Sequence, residues 1–178
     1  MASSRGKDSR VGNATPSIRI RPATEADVSA INYIYNYYVA HSTCTYQTEA
    51  ETDVARLEWL RNHGTQYPVT VAEDGGQVVG WASVSMFRPR EAYRPTVENA
   101  VYVRHDLLGR GIGKMLMIDL IERTRKAGFH SIMAVISAEQ EASVRLHEKL
   151  GFEKVAHLRQ VGRKFDMWLD VVYLQLML

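Results

Sequence analysis

A glycine-rich segment, LLGRGIGK, holds the residues whose types and spacing point most directly to chemistry. Gly109, Gly111 and Gly113 alternate along it, directly after the apolar run VENAVYV and directly before a helical pattern. Such glycines let backbone N–H groups turn inward, and the N-terminus of the helix adds positive potential, so the segment suits a pyrophosphate. The alternative interpretation is a tight turn between a strand and a helix.

Two common phosphate-binding motifs do not fit this segment. A mononucleotide P-loop needs Ser or Thr after its lysine, but Lys114 is followed by Met115, which has no hydroxyl for magnesium. A dinucleotide fingerprint needs the spacing Gly-x-Gly-x-x-Gly in a βαβ unit, whereas these glycines alternate and the strands before them are predicted to be antiparallel. The segment is therefore expected to be neither a mononucleotide P-loop nor a dinucleotide-binding fingerprint.

Charged residues form a second group of candidates. Glu98 stands in an apolar strand pattern, where a carboxylate is costly unless it is hydrogen-bonded or functional; an exposed strand end is the alternative. His147 lies in a short helical pattern and either transfers protons or packs. Arg88 and Arg90 either pair with a carboxylate or are solvated. Cys44 has no sequence neighbour that would activate it, so it is interpreted as a bystander.

Apolar spacing and turn signals predict the elements that must position these candidates. The predicted order is β-α-α-β-β-β-α-β-α-β-β, with helix starts at Thr24 and Thr52 and a hairpin turn at Asp74-Gly75-Gly76. A strand is predicted from Glu98 to Val103, and Ser143 is expected to cap a short helix. We therefore predict one mixed α/β sheet with helices on both faces.

Composition bounds the class of protein. The chain has 178 residues, of which 1–17 are small and polar and are predicted to form a flexible arm, leaving 18–178 as one domain. A net charge of +2 argues against bulk binding to nucleic acid or an acidic membrane. A single cysteine cannot form an internal disulfide, so the cytoplasm is the expected compartment. Neither a membrane span nor the spacing of a metal site is evident in the sequence.

The glycine segment resembles the pyrophosphate loop of the GNAT superfamily of acetyl-CoA-dependent N-acetyltransferases, in which Gln/Arg-x-x-Gly-x-Gly/Ala opens a helix. Gly111 and Gly113 match its glycines, whereas Leu108 stands at the Gln/Arg position. The segments IRPATEADV, TVENAVYV, ASVRLHEKLGF and DMWLDVVYLQ resemble the phosphinothricin and methionine sulfone/sulfoximine acetyltransferase branch, from Ile18 to about Gln175. The resemblance implies the GNAT fold, a mostly antiparallel sheet that is splayed at the acetyl-CoA site.

The resemblance also implies where acetyl-CoA, the expected co-substrate, would bind. Its pantetheine arm would pair with the backbone of Val101, Tyr102 and Val103, with one amide near the thioester carbonyl. An amide there would stabilise a tetrahedral oxyanion. Gln140 stands where many family members hold pantetheine with an asparagine. The remaining implied cofactor residues are Gly109, Arg110, Gly111, Ile112, Gly113, Lys114 and Ser143.

Acyl transfer to an amine needs a neutral nucleophile and a proton donor for the departing thiolate. By resemblance, Glu98 is the expected base, directly or through water, and His147 is a candidate for the acid or for help in deprotonation. The expected acceptor is the amine of a small amino-acid analogue, attacked directly in a ternary complex. The residues expected to bind the acceptor are Arg88, Arg90, Thr43, Tyr46 and Tyr93.

Two other functions stay open on the same fold. One is N-terminal or lysine acetylation of proteins, and the other is a non-catalytic module that binds acetyl-CoA, an interpretation to which Leu108 and Gln140 lend weight as departures from the family pattern. A homodimer is the expected assembly.

Overall fold

A seven-stranded sheet with the strand order β1-β2-β3-β4-β5-β7-β6 organises the molecule. The computed structural model describes residues 18–178, so the predicted arm, residues 1–17, lies outside the described residues. The strands are β1 (Arg19–Pro22), β2 (Val69–Asp74), β3 (Gln77–Met86), β4 (Thr96–Val103), β5 (Ser131–Ser137), β6 (Glu153–Lys164) and β7 (Met167–Met177). The helices are α1 (Val28–His41), α2 (Asp53–His63), α3 (Ile112–Lys126) and α4 (Glu141–Lys149). This order is the one predicted.

Local signals set the ends of several elements. Asp27 Oδ2 accepts from the Thr24 backbone N–H at 2.8 Å, which closes a capping box before α1. Thr52 Oγ1 accepts from the Ala55 N–H at 3.2 Å and caps α2. The predicted turn between β2 and β3 is also present, with Gly75 and Gly76 at φ 55° and 82°.

One predicted cap is wrong. Helix α4 begins at Glu141 with Gln140 as its N-cap, so Ser143 lies inside the first turn. Its N–H donates to the Gln140 carbonyl oxygen at 2.9 Å, which commits Ser143 to the helical backbone. Gln140 takes the cap position because its backbone is non-helical, at φ −82° and ψ 57°.

Helices cover both faces of the sheet. On one face α3 buries Leu116 and Leu120 against strand residues that include Ile132 and Leu174. On the other face Ile31 of α1 packs in a separate cluster around the buried Trp81 of β3. Alternate side chains of a strand point to opposite faces, which explains how one sheet carries two cores.

Strand pairing changes character at β4. Every neighbouring pair is antiparallel except β4 and β5, which are parallel and pair only from Thr96–Glu98 to Ser131–Met133. The predicted mixed, mostly antiparallel sheet is therefore confirmed. Strand β4 starts at Thr96 rather than at Glu98, because Thr96 and Val97 still pair with Ser131 and Ile132 of β5.

No helix over residues 18–178 is both long and apolar enough to cross a bilayer.

Candidate active site

A cleft of about 560 Å³ opens where β4 and β5 part. The last paired residues are Glu98 of β4 and Met133 of β5, and the chain from Asn99 to Val103 keeps only its pairing to β3 on the other side. From Asn99 onward, the backbone edge of β4 that faces β5 therefore has no strand partner, although it lies inside the sheet. An unpaired strand edge at a cleft can pair with an extended ligand.

The glycine loop lies at the start of α3. Gly109 and Gly111 have φ of 78° and 80°, the left-handed region that favours glycine, and Gly111 is the N-cap. Both glycines and the intervening Arg110 are exposed, whereas Ile112 is buried and anchors the helix in the core. A Cβ added at Gly111 would meet open space, so its neighbourhood is free for a ligand. Lys114 is also exposed on this turn.

Of the residues predicted to meet pantetheine, Val101 and Tyr102 line the cleft. Val103 is buried, and its carbonyl oxygen already accepts from Tyr38 Oη at 2.5 Å. The Val103 carbonyl is thus engaged in the fold, while the strand before it stays open. Gly113, one turn away, is packed closely enough that an added Cβ would lie 3.4 Å from Leu146 of α4.

Helix α4 supplies the opposite wall. Gln140 and Ser143 line the cleft, and Gln140 Nε2 donates to Thr43 Oγ1 at 3.0 Å. This bond brings together two residues that were predicted for different roles, Gln140 for the cofactor and Thr43 for the acceptor. The Ser143 carbonyl oxygen accepts from His147 Nδ1 at 2.8 Å, so the backbone of Ser143 is occupied inside the helix.

Glu98 stands half-buried at the point where the two strands separate, and its side chain lines the cleft. Burial raises the pKa of its carboxyl above the ordinary value, and the positive charge of Arg88 opposes that rise. A carboxyl group with a raised pKa is a better proton acceptor than an exposed one. The position and the shift both suit a general base.

His147 is almost fully buried, at 1% exposure, and both of its ring nitrogens are engaged. Nδ1 faces the Ser143 carbonyl at 2.8 Å and must donate, so Nε2 is the acceptor for Asn99 Nδ2 at 3.0 Å. Burial lowers the pKa of the imidazole, which favours the neutral ring near pH 7. The structure therefore brings His147 to the cleft wall as a neutral group with its lone pair already hydrogen-bonded.

The residues predicted for the acceptor fall into two groups. Tyr46 lines the cleft. Arg88 is exposed, lies outside the cleft wall and stacks its guanidinium over the Phe87 ring at 4.7 Å, and its positive charge opposes the raised pKa of Glu98. Arg90 and Tyr93 are exposed residues of the loop between β3 and β4 and do not belong to the cleft wall. The Tyr93 ring instead packs edge-on against Phe87, with 6.0 Å between ring centres.

Cys44 also lines the cleft, at the side that holds Tyr46. Burial raises the pKa of its thiol, although a hydrogen bond with Ser42 and the charge of Lys164 oppose the shift. A thiol with a raised pKa is a poor nucleophile near pH 7, which supports the bystander interpretation. No cluster of three or more potential metal ligands from His, Cys, Asp and Glu occurs within residues 18–178.

The chain belongs to the acetyltransferase (GNAT) family, whose profile matches residues 31–152. The resemblance seen in the glycine loop and in the ordered motifs around it is thereby confirmed.

Similar proteins indicate which branch of the GNAT family this chain resembles. The L-methionine sulfoximine/L-methionine sulfone acetyltransferase of Pseudomonas aeruginosa is 44% identical over 163 residues, which are 90% of this chain and 94% of that protein. A GNAT superfamily phosphinothricin acetyltransferase from Sinorhizobium meliloti, in complex with acetyl-CoA, superposes with a TM-score of 0.87 at 35% identity, covering 91% of this chain and 89% of that one. A ribosomal-protein-alanine N-acetyltransferase from Brucella melitensis superposes with a TM-score of 0.88 at 42% identity, covering 90% and 99%.

Sequence reasoning missed two polar residues of the site region. Asn99 adjoins Glu98 and binds His147, and the only available signal was an amide inside an apolar strand. Lys164 lies in the exposed-looking run VGRKFDMW, yet it is only 4% exposed. Nothing in its neighbourhood along the chain indicates burial, because its partners come from residues more than a hundred positions earlier.

Proposed function

We propose that this protein transfers the acetyl group of acetyl-CoA to the amine of a small amino-acid analogue of the methionine sulfoximine, methionine sulfone or phosphinothricin type. The observation that carries the proposal is the cleft between β4 and β5, which places Glu98 at the point where the strands part. The names of the similar enzymes from P. aeruginosa and S. meliloti support this acceptor class.

The residues present fit acetyl-CoA as the donor. The amides from Gly109 to Lys114 are available at an exposed helix start, and the left-handed glycines let the backbone approach a pyrophosphate closely. The open edge of β4 at Val101 and Tyr102 fits an extended pantetheine arm, with Gln140 and Ser143 on the facing wall. Leu108 is exposed and supplies no polar contact, so the backbone amides carry this interaction.

Glu98 is proposed as the general base. It accepts a proton from the acceptor's ammonium, directly or through one water, and the neutral amine nitrogen attacks the thioester carbon. The carbon–nitrogen bond forms and the carbon–sulfur bond breaks; the acylated nitrogen then loses its extra proton, which balances the proton that the departing thiolate takes up to become the CoA thiol. His147 remains a predicted catalytic residue, and its neutral state and bond to Asn99 favour a role in holding β4 and α4 at the correct separation.

The carboxylate of the acceptor is proposed to lie near Arg88. The positive charge of this guanidinium opposes the raised pKa of Glu98. An amino acid bound between the two side chains would place its amine beside the Glu98 carboxylate and its carboxylate beside the Arg88 guanidinium. Tyr46 and Thr43 are proposed to complete the acceptor side. Arg90 and Tyr93 stay predicted contacts whose side chains would need to turn toward the cleft.

A homodimer is proposed as the assembly. Strand β6 lies at the edge of the sheet, and the β6–β7 hairpin exposes several large apolar side chains, namely Val155, Val161, Phe165, Met167 and Trp168. Such a patch on a sheet edge is suited to burial against a second copy. Sedimentation velocity should show a dimer that Trp168→Glu weakens and that Tyr33→Glu, an exposed aromatic on α1, leaves intact. A monomeric wild type would overturn this assignment.

The cytoplasm is the proposed compartment, as the single cysteine implies.

Protein N-terminal acetylation is the second candidate, since the B. melitensis neighbour is named for that activity. The deciding experiment measures CoA thiol release by the purified protein with glufosinate, methionine sulfoximine, methionine sulfone and a short peptide with N-terminal alanine. We expect the amino-acid analogues to react and the peptide to be inert. Preferential turnover of the peptide would favour the second candidate, and acetyl-CoA binding without turnover of any amine would indicate a non-catalytic module.

A further inference from the structure

The segment from residue 42 to residue 46, here called the bridge segment, borders the cleft that Glu98 also lines. Its residues Cys44, Thr45 and Tyr46 line the cleft. On one side it continues from the C-terminus of α1, and Thr45 Oγ1 lies 2.9 Å from Tyr35 Oη. These contacts join it to the half of the molecule that contains β1 to β4.

Lys164, at the end of β6, holds the bridge segment from the other half. Its Nζ donates to the carbonyl oxygens of Ser42 and Thr45 at 2.7 and 2.8 Å, and the carbonyl of Tyr38 lies at 3.5 Å. An ammonium has three N–H donors, so these carbonyls use its full capacity. Two of them lie at the C-terminal end of α1, where a cation also complements the helix dipole. Lys164 is therefore a buried part of this contact, with its ammonium group hydrogen-bonded to the bridge segment and to α1.

Tyr46 makes the second connection to the same half. Its Oη lies 3.1 Å from the Asp170 carbonyl oxygen of β7 and 3.3 Å from Ser137 Oγ of β5. Its ring covers the backbone of Gly162, where an added Cβ would come within 2.3 Å of the ring. The bridge segment is thus attached to β5, β6 and β7 although β4 and β5 have separated beneath it.

We propose that Lys164 is a positioning residue that closes the bridge segment over the acceptor half of the cleft and thereby sets the affinity for the acceptor. This inference rests on the proposed function. Without the lysine, the carbonyl oxygens of Ser42 and Thr45 lose this donor, whereas the Tyr38 carbonyl still accepts from the Ser42 N–H at 3.0 Å, and water must enter to replace the ammonium. The bridge segment then opens, and Tyr46 and Thr45 no longer define the pocket wall. The glycine loop and the backbone of β4 make no hydrogen bond with Lys164, so we expect them to keep their geometry. The bridge segment reaches the acetyl-CoA side through the bond from Gln140 to Thr43, at 3.0 Å.

The chain contains one cysteine, and it lies on the bridge segment, so the rate of thiol–disulfide exchange at Cys44 measures opening without any turnover. The test compares Lys164→Met with Arg163→Met, an exposed neighbour paired with Asp166. In Lys164→Met we expect Cys44 to react with a disulfide reagent at pH 8 about tenfold faster, because the thiol gains access to solvent. Loss of the lysine charge alone would raise the pKa of the Cys44 thiol and slow the reaction, so faster reaction reports exposure.

Kinetics supply the second readout. We expect the acceptor KM to rise about tenfold or more in Lys164→Met, the loss expected for charged hydrogen bonds, with kcat nearly kept and acetyl-CoA affinity within about twofold. Gly162→Ala should act in the same direction, since its Cβ displaces the Tyr46 ring while the lysine stays intact. It also serves if Lys164→Met fails to fold.

The outcomes separate the two proposals. Unchanged Cys44 reactivity or unchanged acceptor KM in a folded variant would overturn the role of Lys164. Equal effects in Arg163→Met would do the same, because they would reflect a general loss of positive charge. If the wild type acetylates no amine, the proposed function fails, and Cys44 reactivity still decides whether Lys164 closes the bridge segment.

Discussion

The two sides of the cleft are built in different ways. The side proposed for acetyl-CoA comes mainly from one continuous stretch, β4 and the loop up to Lys114, which offers mainly backbone groups, and Gln140 and Ser143 of α4 face it. The side proposed for the acceptor assembles side chains of Glu98, the bridge segment and the β6–β7 hairpin. The two sides also differ in burial. Glu98 and Cys44 are buried enough that the pKa of each is raised, whereas the glycine loop is exposed to solvent. Contacts made by backbone amides would not require a particular side chain at Leu108, whereas a pocket of side chains depends on each residue.

The largest effect should come from Glu98→Gln. General base catalysis typically contributes about 10²–10⁴-fold, so turnover at neutral pH should fall by that order, while acetyl-CoA affinity stays within about twofold. The rate of the variant should recover as the pH rises, since free amine then replaces the missing base. Steady-state pH–rate profiles test this, and an unchanged profile would remove Glu98 from the mechanism.

Glu98→Gln should also change the free energy of unfolding. The carboxyl pKa is raised in the folded state, so the folded protein binds the proton more tightly than the unfolded chain does. The stability that Glu98 supports is present at low pH and is lost as the pH rises through the folded pKa. The variant should therefore be more stable than the wild type at pH 7 but not below about pH 4. Urea titrations at the two pH values measure the difference.

Gly111→Val should weaken the binding of acetyl-CoA and so test the side of the cleft that is built from backbone groups. A left-handed φ costs a non-glycine residue about 1–2 kcal/mol, and the side chain would also keep a pyrophosphate from the amides, so affinity should fall about a hundredfold. Gly128→Val is the matched control, because Gly128 has φ 83° and open space around it beyond the far end of α3. Calorimetry should show normal affinity in the control, and equal losses in both variants would trace the effect to strain.

Arg88→Ala should weaken the acceptor more than Arg90→Ala does. A charged hydrogen bond contributes about 1.5–3 kcal/mol, so the acceptor KM should rise about ten- to a hundredfold for Arg88, with little change for Arg90. Removing Arg88 should also raise the pKa of Glu98 further and move the acid limb of the rate profile to higher pH. A methyl ester of the acceptor should mimic the variant. If the ester reacts as well as the acid, no carboxylate contact exists.

Cys44→Ala should have the smallest effect. The thiol is protonated near pH 7 because burial raises its pKa, so it cannot serve as an acetyl carrier. Activity should stay within about twofold, and initial-rate plots should intersect, as a ternary complex requires. Parallel lines together with an acetylated Cys44 in the mass spectrum would reverse this interpretation.

Residues close together in sequence were predicted well. Thr24 with Asp27, Thr52, the Asp74-Gly75-Gly76 turn and the glycine loop all act within a few positions, so their capping and turn chemistry is visible in the chain itself. Strand β4 and the loop after it belong to this class, because they are continuous in sequence, whereas their binding of acetyl-CoA stays a prediction.

Only the tertiary structure decided the acceptor side. Lys164 meets Ser42 across a separation of 122 residues, and Tyr46 meets Asp170 across 124, which no local pattern encodes. The same holds for the bond between His147 and Asn99, which leaves the imidazole neutral and engaged, and for the placement of Arg88 and Arg90 outside the cleft wall. Burial and hydrogen-bond partners depend on which distant segments pack together, whereas caps, turns and loop glycines depend on neighbours along the chain.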